Sequence, residues 1–300
     1  MKMAVLHFGE MIEANLHSPG YRISKFVSDE LKIPMITQDN IVNFKDQKFD
    51  VLFVKYAHYQ SSNWELVSDL FHNAKLTIEM QNEYLPTAPK WLHNNRMNFA
   101  VWTTIPSNIE DPSDHYINWN VLPWSGTAET MAPFGKPVFD NTLMYYGGIR
   151  NGRQLDFSKY MRMTKYHVAF SADPRADFLV KAIDSTISVL PMFKSVRDFQ
   201  AFGASLYIED EYSHKVYCSP ANRFYECLRA GVAVLVDAAS ARTLEKAGFD
   251  CDESFIVNNA DDVAKALPNY DKIRRAQRWE WSRDFMGELR GSLHGAMTKL

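Results

Sequence analysis

Cysteine is scarce in this 300-residue chain, and the three present, Cys218, Cys227 and Cys251, form no Cys-x-x-Cys pair. Their odd number and isolation exclude a disulfide framework and a zinc-finger type of site, and they read as reduced thiols. No apolar run approaches the roughly 18 residues that a membrane helix needs. The chain opens directly on the strand-like MAVLHF rather than on a basic segment and a long apolar stretch, so a cytoplasmic protein without a membrane anchor is expected. Charge of one sign is lacking as well. With 33 basic and 36 acidic residues the net charge is −3, which withholds the basic excess of a typical nucleic-acid binder. Also absent are a Walker loop, a Gly-x-Gly-x-x-Gly turn, sequence repeats and low-complexity tracts. What is present is an ordinary globular mixture, 46% hydrophobic and 23% charged, which excludes wholesale disorder. At this length two domains are expected rather than one core.

Short apolar runs alternate with amphipathic ones. Residues 2–8, 50–56, 75–80 and 98–104 read as buried parallel strands. Between them, 20–31 and 62–73 carry apolar residues at helical spacing: Ile23, Phe26, Val27 and Leu31, then Leu66, Val67, Leu70 and Phe71. From about 105 to 140 the pattern lapses into Pro-, Asn- and Trp-rich sequence, the natural place for a domain boundary. Alternation then restarts, with strands predicted at 142–147, 166–170, 203–209 and 232–236. Helices are predicted near 153–162, 174–183, 195–201, 220–230, 239–246 and 259–267, and 271–297 reads as one long charged amphipathic helix. The serial order argues for doubly wound α/β sheets. Residues 1–140 hold 11 basic against 16 acidic residues, and 141–300 hold 22 against 20, so the second half is the better host for an anionic small molecule.

Two segments carry chemistry. Tyr146-Gly147-Gly148-Ile149-Arg150-Asn151-Gly152-Arg153 follows a predicted strand and opens a predicted helix. Glycines admit a ligand close to the backbone, a helix start presents free N–H groups, and arginines offer forked donors suited to phosphate. In Ser219-Pro220-Ala221-Asn222-Arg223-Phe224-Tyr225-Glu226, proline begins a helix and Arg223 and Glu226 sit three apart, ahead of an Ala-Gly turn into the strand VAVLV. A carboxylate there can accept both hydroxyls of a ribose while the arginine addresses phosphate. The plainer alternatives are a Gly-rich turn with two solvated arginines and an i,i+3 surface ion pair worth a few tenths of a kcal/mol.

Taken together, the two segments resemble the nucleotide-sugar half of GT-B glycosyltransferases, and more closely the family of phage DNA β-glucosyltransferases. The resemblance rests on YGGIRNGR, on ASLYIEDEY with NRFYECLRAGVAVLVD, on FIVNNADDVAKAL and on the basic–aromatic tail. It extends more weakly to MKMAVLHFGE and to NEYLP at 82–86. It implies two Rossmann-like domains facing a central cleft: an acceptor domain over 1–140 and a nucleotide-sugar domain over 141–300. Residues 271–300 would form a closing helix that returns toward the first domain. The implied donor is a UDP-sugar, held by Gly147, Gly148, Arg150, Arg153 and Arg223 at the diphosphate and by Glu226 at the ribose. Tyr212 would stand near the donor and Phe170 beside the uracil, where Ser171 replaces the family's glycine. The implied acceptor is a hydroxylated or hydroxymethylated pyrimidine in phage DNA, modified with inversion by a monomeric enzyme in the host cytoplasm. Mg2+ or Mn2+ would assist the leaving diphosphate, and no residue is assigned as a metal ligand.

The acid–base position departs from the family pattern. Where the family keeps an Asp, this chain has Asn82, which cannot accept a proton. Either Glu83 takes the role by a one-residue shift or the mechanism differs. His58 and Glu79 are further groups at strand ends. Trp91, Trp102, Trp119, Trp279 and Trp281 read first as packing aromatics, with stacking on bases or sugars as the alternative. Lys159, Arg162 and Lys165, and the set Lys272, Arg274, Arg275 and Arg278, suit either a phosphate backbone or a solvated helix face. Two rival functions stay open: a glycosyltransferase with a carbohydrate or lipid-headgroup acceptor, favoured by the net charge, and a non-catalytic module of the same fold, favoured by Asn82.

Overall fold

The computed structural model describes residues 1–7, 19–55, 64–81, 99–103, 116–118, 132–148, 153–162, 164–171, 177–193, 195–211, 214, 220–281 and 285–298. The chain forms two compact units, Met1–Ala128 with Asp284–Leu300, and Glu129–Arg283. The first holds β1 (Met3–His7), α1 (Pro19–Leu31), β2 (Met35–Ile36), β3 (Phe49–Lys55), α2 (Trp64–His72), β4 (Ala74–Gln81), β5 (Phe99–Thr103) and β6 (Tyr116–Asn118). Its strands form one parallel sheet in the order β2-β1-β3-β4-β5-β6. Successive strand residues point to opposite faces, so β1 and β3 feed two cores. Val5, Val51 and Phe53 join Ile23, Phe26 and Val27 of α1 on one face. Ala4, Leu6, Leu52 and Val54 join Val67, Leu70 and Phe71 of α2 on the other.

The second unit holds β7 (Phe139–Tyr146), α3 (Gln154–Met161), β8 (His167–Ser171), α4 (Asp177–Ile183), β9 (Ser188–Leu190), α5 (Val196–Gln200) and β10 (Phe202–Tyr207). After these come α6 (Asn222–Ala230), β11 (Ala233–Val236), α7 (Ala238–Lys246), α8 (Ala260–Ala266) and α9 (Tyr270–Glu280). Its parallel sheet runs β11-β10-β7-β8-β9. The winding starts at β7, proceeds to β9 and then returns to β10 on the other side, so the strand order reverses between β7 and β10. The carboxyl ends of two such strands, with their connections leading to opposite sides, leave a crevice where α/β proteins bind ligands.

Local chemistry fixes the helix ends. Asp237 caps α7 by accepting from the Ser240 amide, and Asn259 caps α8 through the amides of Asp261 and Asp262. Gly231 ends α6 at φ +72°, a left-handed position that a side chain resists. On the outer edge of the sheet, the buried Gln277 of α9 stands in for a missing strand. Its amide donates to the Val234 carbonyl at 2.6 Å and accepts from the Val234 N–H at 2.9 Å.

The tail departs from expectation. The single helix expected over 271–297 is two helices, α9 and α10 (Phe285–Met297). Trp281 closes α9 by burying its ring against Phe224, Phe249 and Phe255 and donating its indole N–H to the Asp250 carbonyl. Leu289 and Leu293, one helical turn apart, are buried in the first unit's core with Val5 and Phe26. Beside them Arg290 of α10 reaches Glu30 of α1 at 3.1 Å. No helix among the described residues is long and apolar enough to cross a membrane.

Candidate functional site

The carboxyl ends of β7 and β10 carry a buried cluster of charge. Arg153 precedes the first turn of α3, and only 2% of its side chain is exposed. Each of its guanidinium nitrogens is engaged: Nε donates to Asp210 at 3.1 Å, Nη1 to the Tyr145 hydroxyl at 3.1 Å, and Nη2 to Glu209 and Asp210. Glu209, whose side chain is 4% exposed, gives one oxygen to Arg153 and the other to Arg223. Arg223 also donates from Nη2 to the Ile208 carbonyl at 2.9 Å, and its guanidinium lies over the rings of Tyr145 and Tyr207 at 5.2 and 5.4 Å. Burial by itself would lower the Arg223 pKa. The electronegative Tyr145 and Glu209, with Tyr207, more than offset that and hold the guanidinium above its ordinary range.

Arg223 reaches this place because Tyr207, at the end of β10, accepts a hydrogen bond from the Ala221 amide at 2.9 Å and so fixes the entry to α6. Above it runs the glycine turn. Gly147 has φ +130°, a conformation that a side chain resists, and a Cβ there would lie 3.2 Å from Arg223 Nη1, so the guanidinium would have to give way. Gly148 is exposed, and a Cβ on it would meet nothing within 4 Å. The turn is tied to β8 by the Gly147 amide, which donates to the Ser171 carbonyl at 3.1 Å. Ser171 in turn orders the exit from β9: its Oγ donates to Pro191 O at 2.8 Å and accepts from the Phe193 amide at 3.0 Å. Phe193 stacks on Tyr146, with ring centroids 5.8 Å apart and planes 11° from parallel.

The structure thus brings together Gly147, Gly148, Arg153 and Arg223 of the residues singled out from sequence. Glu226 is half-buried, one turn beyond Arg223 on α6. The ion partner of Arg223 is Glu209 rather than its neighbour at i+3. Phe170 is fully buried, its ring between Tyr145 at 4.6 Å and Phe157 at 5.1 Å. Asn82, Glu83, His58, Arg150 and Tyr212 lie outside the described residues. Sequence reasoning passed over Glu209 and Asp210, although an acidic pair directly after an unbroken buried strand at the carboxyl edge of a parallel sheet was a usable signal.

The basic set on α9 is largely committed to the chain itself. Arg274 pairs with Asp271 at 2.6 Å and donates to the carbonyls of Gly135 and Gly231 at 2.9 and 3.3 Å. Arg278 donates to the Ala132 carbonyl, and the guanidinium groups of Arg274, Arg275 and Arg278 all lie within 5 Å of the Phe134 ring centre. These residues hold the segment 132–135 and the end of α6. Among the described residues, no group of three His, Cys, Asp or Glu is placed to hold a metal ion.

No family model matches the sequence, and no curated protein matches it. Solved structures do match in shape. T4 phage β-glucosyltransferase superposes with a TM-score of 0.63 at 15% identity, covering 100% of this chain and 99% of that one. That enzyme has been solved with UDP-glucose and with UDP and Mn2+. An α-glucosyltransferase in complex with UDP and a 13-mer DNA gives 0.58 at 9% identity, over 98% of this chain and 95% of that one. The Anabaena protein Alr3699/HepE, in complex with UDP-glucose, gives 0.56 at 9% identity over 100% of both chains. This chain has the α/β fold of these proteins.

Proposed function

We propose that this protein, built on the fold it shares with the T4 phage β-glucosyltransferase, transfers a sugar from a UDP-sugar to a hydroxylated or hydroxymethylated pyrimidine in DNA, with inversion at the anomeric carbon. The observation that carries the reading is Arg223, held by Glu209 beside Gly147 and the open backbone of Gly148 at the point where the strand order of the second sheet reverses. In this reading the donor diphosphate lies along Gly148 and meets Arg223 and Arg150, while Glu226 accepts the ribose hydroxyls. Arg153 and Phe170 support the site from beneath, and Tyr212 lies near the donor. The first unit holds the acceptor. Glu83 takes the proton from the acceptor hydroxyl as its oxygen attacks the anomeric carbon, Asn82 orients it, and the arginines meet the charge that develops on the departing UDP. A base within a duplex would have to leave the stack first. A divalent cation such as Mg2+ or Mn2+ would arrive with the diphosphate; no residue of the chain is assigned to it. The protein would act as a monomer in the cytoplasm, that of the host for a phage-encoded protein.

A second reading, transfer to a carbohydrate or other non-DNA acceptor, is favoured by one observation. Arg274 and Arg278 serve the chain's own carbonyls, so the basic surface expected along the tail is smaller than its sequence suggests. Incubation with a panel of UDP-sugars and with hydroxymethylated DNA, unmodified DNA or oligosaccharides distinguishes the two. A nucleoside heavier by one sugar after digestion supports the DNA reading; transfer confined to the oligosaccharide arm supports the second. Hydrolysis or transfer in no arm, with UDP-sugar still bound, would leave the non-catalytic module.

A further inference from the structure

We infer that Glu209 is the positioning residue of the donor diphosphate site, acting through Arg223; the inference rests on the UDP-sugar reading above and adds a residue to it. Glu209 is nearly inaccessible and divides its two oxygens between two guanidinium groups. Arg153, on one side, has every nitrogen engaged within the protein and 2% exposure, so it anchors Glu209 and has no free edge for a ligand. Among the described residues, Arg223, on the other, forms hydrogen bonds only through Nη2. Its other terminal nitrogen, Nη1, makes no hydrogen bond to any described residue and lies beside Gly147, while Nε is buried without a partner among them. One terminal nitrogen is therefore held and the other is presented to the glycine turn.

The charges explain why such a holder is needed. Arg153 and Arg223 stand against Glu209 and Asp210, so the cluster is neutral as a whole and attracts an anion by orientation rather than by excess charge. A buried ion pair is a poor source of stability, since desolvation offsets most of the attraction; what it supplies is a fixed geometry. An arginine already immobilised loses little side-chain freedom when a phosphate arrives. Replacing Glu209 releases the held nitrogen of Arg223, and the loss falls on ligands that carry phosphate.

Calorimetry of UDP and of uridine with the wild type, Glu209→Gln, Arg223→Lys and the double variant tests this. In Glu209→Gln, UDP binding is expected to weaken about tenfold with uridine binding nearly unchanged, and in the Arg223→Lys background the same change is expected to cost almost nothing more, because its effect passes through Arg223. Should Glu209→Gln not fold, Glu209→Asp keeps the charge but is one methylene too short to reach both guanidinium groups, and the same pattern is expected. UDP affinity equal to or above wild type, equal losses for UDP and uridine, or additive losses in the double variant would each overturn the inference while leaving the UDP-sugar reading intact. Wild-type protein that does not prefer UDP to uridine would overturn that reading, and the inference with it.

Discussion

At the scale of single residues, the site separates groups that meet a ligand from groups that hold those groups. Glu226 belongs to the first kind in the proposed reading. Glu226→Ala is expected to weaken UDP-sugar binding by roughly 1–3 kcal/mol, the value of a charged acceptor to hydroxyls, and calorimetry with UDP decides it. Unchanged binding would remove the ribose assignment. Cys227 shows the opposite situation. It lies on the buried side of α6, and burial pushes its thiol up to about 12, so it stays protonated at any pH near neutrality. The thiolate is the reactive form, and alkylation of native protein at pH 8 is expected to spare Cys227 while modifying the half-buried Cys251, as read by peptide mass. Unfolding removes the shift and should expose both.

At the scale of elements, Gln277 makes the most specific demand. Its side chain, 43 positions from Val234 in sequence, completes the hydrogen bonding of an edge strand from outside the sheet. Gln277→Leu fills the same space but leaves a buried N–H and a buried carbonyl without partners. A loss of about 2–4 kcal/mol in urea unfolding is expected, from the usual cost of two such groups. The elements themselves were legible wherever the pattern was local. FGASLY is mostly apolar and lies as a buried strand, and the Ile23–Phe26–Val27 and Leu66–Val67–Leu70–Phe71 stripes became the buried faces of α1 and α2. What sequence did not reveal was tertiary. Arg223 has a carboxylate three residues ahead, but the one that faces it in space is Glu209, 14 residues back, and Arg153 meets its partner across 56 residues. The resemblance implied Phe170 beside the uracil, and the packing of its ring between Tyr145 and Phe157 is a tertiary feature that the sequence did not show. The tail has helical character on both sides of residues 282–284, so periodicity alone joined two helices that pack on different cores.

At the scale of the whole molecule, each unit has its own sheet and its own core, so damage to one should be read in that one. Leu289→Ala removes a fully buried side chain of α10 from the core beneath α1, at an expected cost of about 2–5 kcal/mol. Amide exchange should show the loss of protection in the β1–β6 sheet, with the β7–β11 sheet unaffected. A uniform loss across both sheets would contradict the division into two units. The same helix bears on how the protein is made. A ribosome releases β1 to β6 first, yet the face of that sheet carrying Val5, Val51 and Phe53 is covered in part by leucines at positions 289 and 293. The second unit, whose described elements all lie between residues 132 and 281, can close while the earlier sheet still waits for its last helix. The half synthesised first is therefore the half completed last, and in the interval its apolar face is the part of the nascent chain most in need of a chaperone.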